Sequence, residues 1–120
     1  MKEKAMQIDH DAMVLVADGR KLLFFRNKGD RAFPQLEAEE VKTDFHELEE
    51  ARFAAEAADL LKRRAFAQDY EKLIIVAPPT ALGEMRKHYH KEVQDRLVGE
   101  IAKDLANHPV AEIEKIIARS

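Results

Sequence analysis

Leu73-Ile74-Ile75-Val76-Ala77-Pro78-Pro79-Thr80 constrains this chain more than any other stretch, because an unbroken apolar run stops at two adjacent prolines and passes into residues suited to a helix. A strand with no polar alternation is buried on both faces, which is the condition of a central strand in a sheet covered by helices. Neither proline can serve a ladder, so the strand ends at Ala77, and Thr80 stands where it would cap a helix running to about His88 and resuming over Lys91 to Arg96. The pattern predicts an α/β fold.

The residues before this crossover read as a meander. Ala12 to Ala17 and Lys21 to Arg26 are apolar runs joined around Asp18-Gly19, a dipeptide that tolerates the positive φ angles of a tight hairpin turn. Asn27-Lys28-Gly29-Asp30 is a second turn, and Leu36 to Val41 is a more polar strand suited to an edge, where its charges blunt further pairing. From His46 to Phe66 the set Phe53, Ala54, Ala57, Leu60 and Leu61 recurs at helical spacing. The four-apart pairs Arg52 with Glu56 and Asp59 with Arg63 read as a solvated face.

Beyond the crossover, Leu97 to Leu105 carries Val98, Gly99 and Ile101 and is assigned as the last strand. Asn107-His108-Pro109 opens a terminal helix, with Pro109 in its first turn and Val110, Ile113, Ile116 and Ile117 facing inward. The order is three strands, helix, strand, helix, strand, helix. An antiparallel meander followed by two right-handed crossovers builds a mixed five-stranded sheet with flanking helices, the arrangement of ribonuclease H-like folds, with the first, fourth and fifth strands parallel neighbours.

Composition narrows the function classes. At 120 residues the chain builds one domain, expected to span residues 1–120. A net charge of −3 argues against strong sequence-independent attraction to nucleic acid, although a local basic patch is compatible with it. Having no cysteine, the chain has neither disulfides nor thiolate chemistry. Its first residues are polar and no apolar run approaches membrane-spanning length, so a cytoplasmic location is expected.

Several ordered blocks carry a resemblance: His10-Asp11-Ala12, Val14 through Arg20, Val76-Ala77-Pro78-Pro79 with Leu82-Gly83, Gly99-Glu100-Ile101, Lys103-Asp104-Leu105 and His108-Pro109. Together they resemble the bacterial host-attachment protein family, whose members are described as required for attachment to host cells and whose fold is similar to the central domain of archaeal and eukaryotic translation release factors. The resemblance implies a small non-enzymatic protein that acts through binding and needs no cofactor, or an RNA-, tRNA- or ribosome-associated module. In the release-factor domain the connection between the third strand and the first helix holds a Gly-Gly-Gln loop that reaches the ester bond of peptidyl-tRNA. Here that connection, Val41-Lys42-Thr43-Asp44-Phe45, contains neither glycine nor glutamine, so the resemblance does not carry release catalysis with it.

Two places invite a ligand. Ligands of open α/β sheets collect beyond the carboxyl ends of parallel strands, which would gather Asp18, Pro78, Thr80, Lys103 and Asp104 at one rim beside a helix N-terminus. The plainer reading makes Asp18 a turn former and Thr80 a cap. Asp18 and Asp104 would have to belong to a larger carboxylate set to hold the two metal ions, roughly 4 Å apart, of a ribonuclease H-type nuclease, and the central strand ends in prolines where that enzyme needs an acid. The second place is a basic cluster, Arg86, Lys87, His90 and Lys91 with Tyr89 inside it, which would contact RNA phosphates and stack a base. Glu84, His88 and Glu92 share a helical face only if the helix is unbroken, and they lack a fourth ligand, so no metal is assigned.

Overall fold

The computed structural model describes residues 6–42 and 49–120. The expected helix start at His46 and the connecting residues 43–45 lie outside them. Nine elements follow in order: β1 (Met13–Ala17), β2 (Leu22–Asn27), β3 (Leu36–Lys42), α1 (Glu50–Phe66), β4 (Leu73–Ala77), α2 (Pro79–Arg86), α3 (Lys91–Gln94), β5 (Leu97–Ala102) and α4 (Val110–Arg119).

The five strands form one sheet in the order β3-β2-β1-β4-β5. The meander β1-β2-β3 is antiparallel, whereas β1 pairs with β4 and β4 with β5 in parallel. This is the expected topology. β1 and β4 are buried at every position because helices cover both faces of the sheet. Alternate residues therefore enter two different cores. Met13, Leu15, Phe24, Leu73 and Ile75 meet Phe53, Ala57 and Leu61 of α1, Leu82 and Met85 of α2 and Val93 of α3. Val14, Val16, Phe25, Ile74 and Val76 meet Ile113 and Ile117 of α4, with Ile8 and Leu105 closing the layer.

A bulge decides how β5 joins. Leu73 pairs with Leu97, but Ile74 pairs with Gly99, so Val98 is the extra residue. Without that shift Ile101 would share the face of Leu97. With it, Leu97 packs against the α1–α2 layer and Ile101 against the α4 layer.

Four expectations about element ends change. The N-cap of α2 is Pro78 and the cap makes no side-chain hydrogen bond, so Thr80 lies inside the helix and does not cap it. Pro79 explains this: its fixed φ and missing N–H suit the first helical position, which moves the start ahead of Thr80. The helix ends at Arg86, and α3 resumes for one turn only. Strand β5 stops at Ala102, where the Lys103 amide turns back onto the Ile101 carbonyl at 3.0 Å. Pro109 is the N-cap of α4, not a first-turn residue, and its carbonyl accepts from the amides of Glu112 and Ile113 at 3.0 and 3.1 Å.

A buried ion ring, a turn-bound rim and a paired basic corner

The carboxyl ends of β1, β4 and β5 lie side by side, so the topology does bring Asp18, Pro78 and Lys103 to one rim. What they do there is structural in the case of Asp18. Its Oδ1 accepts from the amides of Arg20 and Lys21 at 2.8 and 2.9 Å, closing the hairpin turn in which Gly19 takes φ 94°. Lys21 then reaches across to Asn107, donating from Nζ to Oδ1 at 3.0 Å, which ties the turn to the loop before α4. Thr80, Lys103 and Asp104 are exposed. No three His, Asp or Glu side chains converge to hold a metal ion among the described residues.

At the basic corner each cation already has a carboxylate. Arg86 donates from Nε to Glu100 Oε1 at 2.8 Å, Lys87 meets Glu84 at 2.9 Å and Lys91 meets Asp95 at 2.9 Å. These hydrogen bonds raise the pKa of Arg86 and of Lys91. His90 is the N-cap of α3, its Nδ1 accepting from the Glu92 amide at 3.0 Å.

Tyr89 is partly buried. It packs against the α1–α2 core and its hydroxyl is buried with no hydrogen-bond partner at bonding geometry. Burial, reinforced by the nearby Glu100 carboxylate, pushes its phenol up. The break after Arg86 also separates Glu84, His88 and Glu92, with Glu84 held by Lys87 and Glu92 by Arg96 at 2.7 Å. The helix periodicity that would have aligned them does not run through.

The densest polar construction was missed by the sequence reading and lies at the end of the sheet opposite the Asp18 rim. Arg26 is 5% exposed, and its guanidinium meets Glu39 of β3 at 3.0 Å and the Asp69 carbonyl at 2.8 Å. Arg64 of α1 meets Glu39 at 2.8 Å and Asp69 at 2.6 Å, and lies 4.6 Å above the Phe24 ring. The four charges form a ring joining β2, β3, α1 and the turn before β4. Burial opposes the charge on Glu39, but hydrogen bonds from Arg64 and Arg26 outweigh it and hold its pKa below the ordinary value. Arg26 reads in sequence as the polar end of a strand, and only the approach of α1 makes it a core residue.

Beside the ring lies a groove of about 270 Å³ lined by Asp9, His10, Asp11, Gln68, Glu71 and Lys72 among others. Asp9 is held by Arg31 and Lys72, whose hydrogen bonds lower its pKa. Asn27, fully buried, stabilises the same end: its amide donates to the carbonyls of Ile8 and Asp9 at 2.9 and 3.1 Å, and its Oδ1 accepts from Gly29 and Gln35. Gly29 is required there, since an added Cβ would lie 2.2 Å from the Phe33 carbonyl oxygen.

Comparison with known proteins gives three results. No curated protein matches the chain. Among solved structures, one described as an archaeal protein is similar, with 14% identity and a TM-score of 0.49, over 89% of this chain and 36% of that one, so the chain spans about a third of that protein's length. A family model, bacterial archaeo-eukaryotic release factor family 12, matches residues 38–117. That is the release-factor side of the expected resemblance; the host-attachment side finds no support. The match takes in α1, β4, α2, α3 and β5 whole and most of β3 and α4, and on that basis the chain belongs to bacterial archaeo-eukaryotic release factor family 12.

Proposed function

We propose that the chain acts as one non-catalytic, release-factor-like domain that binds RNA, tRNA or the ribosome in the cytoplasm. Membership in the release-factor family over residues 38–117 carries this reading. The sequence supplies its limit. Residues 43–48, Thr-Asp-Phe-His-Glu-Leu, join β3 to α1 without a glycine or a glutamine, so the connection lacks the parts that a Gly-Gly-Gln loop needs to reach a peptidyl-tRNA ester.

The face from Arg86 to Lys91 is the proposed contact region. Its cations are exposed, with 56%, 67% and 79% of the Arg86, Lys87 and Lys91 side chains accessible, and each is held by one carboxylate among the described residues. Pairs with exposed cations contribute little, so a phosphate can replace the carboxylate at little cost. The acidic net charge makes binding local and salt-sensitive rather than general.

Co-sedimentation of the purified protein with ribosomes tests the reading. Association is expected, and Arg86→Glu combined with Lys87→Glu is expected to weaken it and leave the remainder less dependent on salt. No peptide is expected to be released from ribosome-bound peptidyl-tRNA. Wild-type protein that stays in the supernatant at low salt, or that hydrolyses peptidyl-tRNA, would overturn the proposal.

A further inference from the structure

The sequence places the aromatic of the basic corner at Tyr89, and the structure packs it against the α1–α2 core. Two other rings take the exposed position. Phe66, in the last turn of α1, is 58% exposed, and His90, from the cap of α3, lies against it with ring centroids 5.1 Å apart and planes inclined by 67°. The pair forms an open corner of two aromatic faces contributed by two different elements.

Three features organise this corner beyond a chance exposure. Helix α1 ends in a double-bonded turn: the Gln68 amide donates to Ala65 and the Asp69 amide to Arg64, both at 2.9 Å, with Gln68 at φ 58°. Phe66 is therefore held on a fixed backbone. His90 is held as well, because its Nδ1 accepts the Glu92 amide. That bond sets the tautomer and places the ring proton on Nε2, which makes no hydrogen bond among the described residues and is free to donate. The third feature is charge. Lys62 and Arg63, one turn before Phe66, share a single carboxylate among the described residues, Asp59, at 3.6 and 3.0 Å, which leaves one positive charge in excess there.

We propose that the Phe66–His90 corner receives one base of a single-stranded RNA, stacked on Phe66 and hydrogen-bonded by His90 Nε2–H, with the flanking phosphate drawn to Lys62 and Arg63. The proposal rests on the RNA or ribosome reading above and gives it a contact residue. Charge selects RNA over a peptide: the excess is positive, and the rings are bordered by cations rather than by a continuous apolar surface.

The test uses fluorescence anisotropy with end-labelled oligoadenylate and oligouridylate of about a dozen nucleotides, within the usual site sizes of single-strand binders. Phe66→Ala is expected to weaken binding about tenfold with an unchanged salt slope, since stacking displaces no counterions, while Phe66→Trp retains it. Lys62→Ala with Arg63→Ala is expected to lower the salt slope instead. A thermal melt verifies that each variant is folded. If wild type binds the oligonucleotides or ribosomes and Phe66→Ala binds as well as wild type, the corner is refuted and the release-factor reading stands. Wild type that co-sediments with ribosomes yet binds neither oligonucleotide refutes the corner as a base platform. Failure of wild type to bind ribosomes and RNA alike removes the reading on which it rests.

Discussion

Two groups of ion pairs in this molecule have nearly the same composition and opposite physics. The ring Arg26–Glu39–Arg64–Asp69 joins four segments around a guanidinium that is almost wholly buried, whereas in Arg86–Glu100, Lys87–Glu84 and Lys91–Asp95 every cation is exposed. A buried charge that loses its partner keeps its desolvation cost. An exposed charge returns to water and loses little. The ring is thus a structural commitment, and the corner is a set of charges available for exchange.

The largest expected effect breaks the ring. Arg26→Ala leaves Glu39 with Arg64 alone and takes the donor from the Asp69 carbonyl, and it should destabilise the fold by about 1–3 kcal/mol in urea unfolding. A loss near zero would mean that water already serves the ring.

Acid should reach the same place. Because the folded-state pKa of Glu39 is depressed, its contribution is present above its ordinary value of 4.5 and is lost as pH falls below that value through the folded one. Urea midpoints measured downward from pH 5.5 should drop for wild type and flatten for Glu39→Gln. Equal pH dependence in the two proteins would locate the acid sensitivity elsewhere, with Asp9 the next candidate.

Tyr70 gives a smaller, alkaline counterpart. Buried beside the ring, it donates to the Leu61 carbonyl at 2.9 Å, and burial pushes its phenol up to about 12. Its stabilising contribution is therefore complete below the ordinary value of 10 and lost as pH rises through about 12. Tyr70→Phe should cost about 1 kcal/mol at neutral pH and remove that alkaline loss, both readable from denaturation curves.

At the exposed corner the expected change in stability is the smallest. Arg86→Glu with Lys87→Glu should shift unfolding by no more than about 1 kcal/mol while weakening ribosome association. A large destabilisation would show that the corner is structural after all and erase the contrast with the ring.

The sequence carried the sheet because the sheet is specified locally: Asp18-Gly19 closes the hairpin, and the Leu73–Ala77 run admits little but a central parallel strand. It carried much less of the site. Whether Tyr89 or Phe66 faces water depends on where α2 breaks and how α3 turns back, and neither charge pattern nor periodicity states that. Arg26 alternates correctly with Leu22 and Phe24, yet nothing local says that a helix some forty residues later will close over it. The Thr80 assignment fails for a narrower reason, since two consecutive helix-start signals compete and the proline precedes the threonine.

The bulge at Val98 limits how this molecule meets others. A strand arriving at the free side of β5 would need one continuous register, yet residues before and after Val98 present opposite faces, so an incoming strand that matched Leu97 would be out of phase at Ile101. On the far side of the sheet, exposed Glu37 brings acid charge to the β3 edge, while Glu39 is taken up by the ring. Growth of the sheet by recruitment is discouraged in both directions, which leaves the helical layers for the proposed RNA or ribosome contact.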